Sequence, residues 1–299
     1  MKVFAIVVTY KGRQWYDKCF GSLRTSTILA QTVVVDNTPG DEDAEYIKAH
    51  FPEVHLIKPM DNLGFGKANN LGMRYALDNG CDYVFLLNQD AWLDTPDTLS
   101  KLVTIAAGHP EYGIVSPMHL NKDKSSLLMD IGIKNSRNEK LLSDLYVGRM
   151  DDIYETNYVN AAAWLLPRNT IEMVGGFDPI FHHYEEDDNY LNRVRYHHLY
   201  IGVCPSVNII HDHHDSELSN GKLAYRQKQR LLVQWTNINE SFTIWKLGRY
   251  YARKWFKCGL SGDFKGAKQW RDSLCYCLQM RNDVINSRTE NKKAQASWL

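Results

Sequence analysis

Val3 to Thr9 is an unbroken apolar, β-branched run of strand length, the pattern of a strand buried on both faces. Gln31–Asn37 repeats the pattern and ends in polar residues, and Val54–Ile57 and Tyr83–Leu87 supply two further strands. Between them the spacing turns helical: Trp15, Cys19, Phe20 and Leu23 first, then Tyr46 to Phe51, then a longer helix entered through Asp61–Ala68 and running to Leu77. Strands alternating with helices at these intervals predict βαβ units and an α/β fold with a mostly parallel sheet. Such sheets bind ligands at the carboxyl ends of their strands. Three of the four strands end in polar groups suited to a nucleotide: Thr9-Tyr10, Asp36-Asn37 and Asn88-Gln89-Asp90.

Beyond Pro96 the pattern predicts a helix over Thr98–Ala107 and a strand over Gly113–Pro117. Residues 121–155 are polar and weakly periodic, so irregular strands and loops are expected there. Tyr158–Pro167 is small and apolar, and a helix at Asn169–Val174 follows. Tyr200–Cys204 and Val207–Ile210 read as separate strands. From about Ser219 onward the spacing is helical and rich in Trp, Tyr and basic residues, and the last ten residues read as a frayed end.

One stretch resists the plain reading of a solvated charge run. Glu185-Glu186-Asp187-Asp188 gathers four carboxylates, flanked by Phe177, Phe181, Tyr184 and Tyr190. Carboxylates beside apolar surface and like charges hold their protons more tightly, which suits a general base near neutral pH.

Composition narrows the class. With 299 residues, 44% of them hydrophobic and formal charge balanced, the chain has an ordinary globular makeup and can bury a sizeable core. The balance is global only: Lys222–Lys293 carries sixteen Lys/Arg against five Asp/Glu. That asymmetry points to a polyanionic surface. Trp235, Ile238, Phe242, Trp245, Tyr250, Tyr251 and Trp255 interleave with Arg249, Arg253, Lys254 and Lys257, which suits a peripheral helix on an anionic membrane. The alternative is an appendage packed on the catalytic domain or on a second copy in a homodimer. No nucleic-acid-binding motif accompanies the charge, so no nucleic acid is expected. Six scattered cysteines lack framework or zinc spacing, the opening apolar run is too short for a secretory signal, and no stretch reaches membrane-spanning length. The expectation is a cytoplasmic protein, peripheral on the inner face of the cell membrane at most.

Taken in order, Ile6-Val7-Val8-Thr9-Tyr10, Val34-Val35-Asp36-Asn37, Asn62-x-Gly64-Phe65-Gly66-x-Ala68-x-Asn70-x-Gly72, Leu86-Leu87-Asn88-Gln89-Asp90, Gly175-Gly176-Phe177-Asp178 with Glu186-Asp187, and His211 with Ser216 form a series. The series resembles the family 2 inverting glycosyltransferases, and within them the rhamnosyltransferase-like branch of bacterial polysaccharide biosynthesis. It covers residues 3–216. The resemblance implies a GT-A fold over 1–216, with a nucleotide-sugar half to about 117 and an acceptor half over 118–216, and a helical region at 217–299. It further implies a nucleoside-diphosphate sugar donor, a glycan or lipid-linked acceptor, a divalent metal and direct displacement at the anomeric carbon. Carried over residue by residue, Thr9 and Tyr10 line the base pocket, and Asp36 holds the base or ribose, the alternative being that it only caps a turn at its strand end. Asn62, Gly64 and Asn70 shape the donor loop, with Asn88 and Gln89 beside the donor. Asp90 and His211 bind metal, and Asp187 is the base. Beside these, Glu186 is expected to hydrogen-bond the acceptor and Asp188 to cap the following helix. Lys67 is either a diphosphate contact or a helix-surface residue, and Trp164 either an acceptor platform or core.

One departure matters. The usual Asp-x-Asp stands here as Asn88-Gln89-Asp90. A single carboxylate with the donor diphosphate still holds Mg²⁺ or Mn²⁺, and an imidazole ligand favours Mn²⁺. The lost acid keeps a catalytically silent nucleotide-sugar binder in view. Asp212-His213-His214 also resembles the metal-dependent DHH phosphoesterases, although the early Asp-x-Asp motifs of that class are missing.

Overall fold

The computed structural model describes residues 1–128, 138–212, 220–241 and 243–299. His213, His214, Ser216, Phe242 and part of the 121–155 stretch lie outside the described residues.

Among the described residues a nine-stranded sheet runs through the centre, in the order β3-β2-β1-β4-β8-β6-β9-β5, with β7 also on β9. Here β1 is Val3–Thr9, β2 Gln31–Asp36, β3 His55–Ile57, β4 Tyr83–Asn88 and β5 Ala91–Leu93. β6 is Tyr112–Leu120, β7 Tyr154–Glu155, β8 Ala163–Pro167 and β9 Tyr200–His211. β1 lies parallel to β2 and β4, and β6 parallel to β9, while β5, β7 and β8 pair antiparallel. The two stretches read separately at 200–204 and 207–210 form one strand. β6 follows it through a register shift at Pro117/Met118, where proline cannot donate to the ladder.

Each strand shows two faces because side chains alternate. Val3, Ala5 and Val7 join a core with α1 (Arg13–Arg24), α2 (Glu42–His50) and α4 (Thr98–Gly108). Phe4 and Ile6 face the opposite core, which contains α3 (Gly64–Asp78), α6 (Arg168–Val174) and α7 (Glu186–Tyr196). Burial on both faces is what the unbroken apolar runs anticipated. The 121–155 stretch is more regular than its weak period suggested. It contains α5 (Glu139–Val147), N-capped by Asn138 Oδ1 accepting the Leu141 N–H and closed by left-handed Gly148.

The C-terminal helices α8 (Asn220–Thr236), α9 (Ile244–Leu260), α10 (Phe264–Gln279) and α11 (Arg281–Asn291) build a third core from Leu232, Trp235, Tyr251, Cys277 and Val284, joined by Phe181. The expected frayed end is instead tied down. Gly176 N–H donates to Ser297 O at 2.8 Å, Asn70 Nδ2 donates to Trp298 O at 3.0 Å, and Trp298 Nε1 donates to Asn291 Oδ1 at 2.8 Å. Backbone pairing and a docked indole outweigh the entropy of the polar segment before them.

Candidate active site

The carboxyl ends of β1, β2 and β4 meet in a hydrogen-bonded frame. Asp36 is fully buried; its Oδ1 accepts from Thr9 Oγ1 and the Thr38 N–H, both at 3.0 Å, and its Oδ2 pairs with Lys58 Nζ at 2.8 Å. Thr9 is buried as well. Neither side chain offers surface to a base or ribose in this conformation, because three donors already hold the carboxylate. Both brace the strand ends instead. Tyr10 is the exposed member of that trio. Gln89 clamps it, accepting from the Tyr10 N–H at 2.9 Å and donating to its carbonyl at 3.1 Å.

The glycine-rich entrance to α3 is explained by its bonds. Asn62 Oδ1 accepts the Gly64 N–H at 2.8 Å, while Asn37 accepts from Leu63 N–H and donates to Gly64 O. Gly64 has φ +77°, and a Cβ there would sit 2.1 Å from His182 O. Only glycine fits this left-handed, crowded position. Asn70 lies deeper than its place in the motif suggested. It accepts the Phe177 N–H at 2.7 Å and donates to Phe177 O at 2.8 Å, fastening α3 to the Gly-Gly-Phe-Asp turn. Lys67 is an exposed residue of α3.

That turn anchors the C-terminal helices. Asp178 is buried; its Oδ2 accepts from Ser287 Oγ at 2.5 Å and Asn291 Nδ2 at 2.7 Å. Arg193 of α7 is buried and donates to Asn291 Oδ1 at 3.0 Å and to Gly176 O. Phe177 packs between Trp164 and Tyr190, with ring centroids at 6.1 and 5.0 Å. Trp164 is therefore core, fully buried. It has no open face for a sugar, which corrects the acceptor-platform reading.

The chain enters α7 under strain. Tyr184 and Glu185 both have φ of 68°, a left-handed pair without glycine, of the sort that clusters at functional sites. The turn delivers Glu186, Asp187 and Asp188 as the first turn of α7. Asp188 does not cap the helix through its side chain: its N–H donates to Asp187 Oδ1 at 2.9 Å. Burial, reinforced by the neighbouring carboxylates, raises the Asp187 carboxyl to about 7 and the Glu186 carboxyl to about 8. The helix N-terminus favours charged acids, and here desolvation wins. Glu186 is 6% exposed, and its Oε2 has no hydrogen-bond partner among the described residues.

These acids line a cavity of about 810 Å³ together with Asn88, His211, Phe65, Tyr158, Asn160 and two arginines of α8, Arg226 and Arg230. It brings together Asn88, Glu186, Asp187 and His211 from distant parts of the chain. Asp90 stands behind His211, with Oδ1 3.4 Å from Nε2. Trp164, Asn70, Thr9, Asp36 and Lys67 are not among its walls. A neighbouring cavity of about 900 Å³ beside α5 and β7 shares only Tyr158 with it and contains none of the predicted site residues.

His119, at the end of β6, was not apparent from the sequence, where it sits in a short mixed run. It is fully buried, neither ring nitrogen has a hydrogen-bond partner among the described residues, and its ring lies 6.0 Å from that of His211. Burial and the neighbouring imidazole hold it neutral, well below its ordinary pKa. Arg226 and Arg230 also escaped notice, because their spacing merges with the general basic character of the tail.

The donor set at Asp90 and His211 suits a divalent ion. A carboxylate oxygen and an imidazole nitrogen face each other, and a neutral His119 lies beside them. Among the described residues no three or more His, Cys, Asp or Glu side chains form a self-sufficient metal cage. Ligand oxygens would have to complete the shell.

Comparison with known proteins agrees with this architecture. The glycosyl transferase family 2 model matches residues 4–152. The hexosyltransferase Agl10 of low-salt glycan biosynthesis from Haloferax volcanii is 25% identical over 218 residues, covering 69% of this chain and 66% of that protein. The dTDP-rhamnosyl transferase RfbF of Shigella flexneri is 24% identical over 213 residues, covering 70% and 68%. The chain thus spans about two thirds of the length of these relatives. Among solved structures, the mannosyltransferase PcManGT from Pyrobaculum calidifontis, in complex with GDP-Man and Mn²⁺, aligns with a TM-score of 0.57 at 16% identity, covering 97% of this chain and 86% of that one. GalNAc-T7 with UDP, GalNAc and Mn²⁺ gives 0.60 at 14%, covering 96% and 57%. TarS 1-349 of S. aureus in complex with UDP gives 0.55 at 12%, covering 98% and 90%. These structures show a shared GT-A fold. Residues 4–152, which carry β1 to β6 and the strand end at Asn88 that lines the cavity, are thus a glycosyl transferase family 2 domain.

Proposed function

We propose that the chain transfers a sugar from a nucleoside-diphosphate donor to a hydroxyl of a glycan or lipid-linked glycan, with inversion and with Asp187 as base. The observation that carries this reading is the buried Glu186 carboxyl and its half-buried neighbour Asp187, both with raised proton affinity, sharing one cavity with His211, whose ring meets Asp90. The acceptor hydroxyl gives its proton to Asp187 as its oxygen bonds to the anomeric carbon, and the diphosphate leaves with the electron pair of the breaking bond. Glu186, protonated near neutral pH and with no partner for Oε2 among the described residues, donates a hydrogen bond to the acceptor. Asp90 and His211 would hold Mn²⁺ or Mg²⁺, and the ion would supply Lewis-acid stabilisation of the leaving diphosphate. Mn²⁺ in the related complexes supports the metal, and the names of the curated relatives support a hexose, with rhamnose as the first sugar to test. The basic aromatic face of α9 supports peripheral contact with the inner, anionic face of a cell membrane.

Asp187→Asn should abolish transfer while leaving donor binding intact; retained turnover would remove Asp187 from the role of base. A thermal-shift panel of UDP-, dTDP- and GDP-sugars with Mn²⁺, Mg²⁺ or chelator should show a metal-dependent rise for one nucleotide class, about 2.7 kcal/mol at a hundredfold excess over Kd. Asn88 in place of the usual acid favours a second reading, a silent nucleotide-sugar binder. That reading predicts the same shift and no turnover with any acceptor.

A further inference from the structure

Arg226 and Arg230 stand four residues apart on α8, so they share one helix face, and both line the cavity that contains Glu185, Glu186 and Asp187. Arg226 lies over the ring of Tyr184 at 4.5 Å, and Tyr184 is itself held in the left-handed conformation. Stacking engages the flat face of a guanidinium and leaves its in-plane N–H fork for a planar or tetrahedral oxyanion. Arg230 Nε lies 3.5 Å from Glu185 Oε1, with its side chain 67% exposed. An ion pair so long and so wet contributes little, so neutralising Glu185 does not account for two arginines at this wall. A substrate carrying negative charge would be repelled by whichever carboxylates of this wall are ionised unless cations offset them.

We propose that Arg226 and Arg230 form a phosphate-gripping pair on the base side of the cavity, taking a phosphate or diphosphate group of a substrate. The inference rests on the transfer reading and deepens it. The group belongs either to an acceptor carried on a lipid diphosphate or to the donor itself.

The test uses the full chain and isothermal titration in chelator, so that no ion occupies Asp90 and His211. The probes are pyrophosphate, farnesyl diphosphate, and UDP, dTDP and GDP in turn, applied to wild type, Arg226→Gln/Arg230→Gln and Arg226→Lys/Arg230→Lys. Circular dichroism and Tm confirm that each variant folds. Wild type should bind pyrophosphate, and the Gln pair should weaken binding at least about tenfold, with partial recovery in the Lys pair. Loss confined to farnesyl diphosphate and pyrophosphate identifies the acceptor as the source; loss extending to the nucleotides identifies the donor. Wild type silent to pyrophosphate and farnesyl diphosphate, or unchanged affinity in the Gln pair, overturns the proposal. Nucleotide binding with Mn²⁺ added back separates the two readings: if it persists while the arginines prove irrelevant, the transfer reading stands without this pair. If nucleotides fail and Arg-dependent pyrophosphate binding remains, the pair stands and the transfer reading falls.

Discussion

At the scale of single residues, the chemistry turns on protons held by a buried carboxyl and its half-buried neighbour at one cavity wall. Asp187 and Glu186 bind protons more tightly folded than unfolded, because burial penalises their anions. Between the ordinary carboxylate range and their folded values of about 7 and 8, the native state therefore holds more protons than the unfolded state. Stability contributed by this pair falls as pH rises through that window. Asp187→Asn, which cannot ionise, should raise the Tm of the ligand-free protein above pH about 8, and the gap should close towards pH about 5. Equal gaps at both values would show that the carboxyl is not raised. Catalysis runs the other way. A base must be deprotonated, so kcat/KM should climb with pH through about 7. A flat profile across that range would separate the rate from Asp187.

At the scale of elements, the Gly-Gly-Phe-Asp turn joins three pieces of chain. Asn70 holds it to α3, Asp178 holds it to α11, and Gly175 and Gly176 receive residues 297–299. Gly175 has φ +84°, and a Cβ there would sit 2.3 Å from Ser297 O. Gly175→Ala should cost about 1–3 kcal/mol from strain alone, read as a lowered urea midpoint at unchanged m. The same substitution at Gly221, where no described residue lies within 4 Å of the added Cβ, should not lower stability. An unchanged midpoint for Gly175→Ala would mean that the C-terminal segment yields without cost.

At the scale of the molecule, α9 presents two characters at once. It carries Lys246, Arg249, Arg253, Lys254 and Lys257 and no acid. Trp245 and Phe256, 69% and 67% exposed, stand eleven residues apart and so on one side of the helix. Tyr251 and Trp235 face inward, so only part of the aromatic series noted in the sequence is available to a partner. Co-sedimentation should show binding to vesicles containing anionic lipid, little to neutral ones, and weakening as salt rises. Trp245→Ser with Phe256→Ser should release the protein. Equal binding to neutral vesicles would remove the electrostatic part of the argument. No helix among the described residues is long and apolar enough to cross a membrane.

Much of this protein was legible in the residues alone. The apolar runs at 3–9, 31–36 and 83–88 specify doubly buried strands, because few other environments accept such unbroken apolar runs of strand length. Their polar ends mark the site edge, and four adjacent carboxylates among aromatics announce raised proton affinity. Tertiary structure decided what lies beyond local pattern. It turned Trp164 inward and spent Asp36 on Thr9 and Lys58. It pinned an end that looked loose and placed Arg226 and Arg230, some forty residues from the carboxylates in sequence, against the same cavity. Periodicity reports which face of an element is apolar. Which polar group meets which across the sheet depends on strand order, register and helix docking, and those are properties of the folded whole.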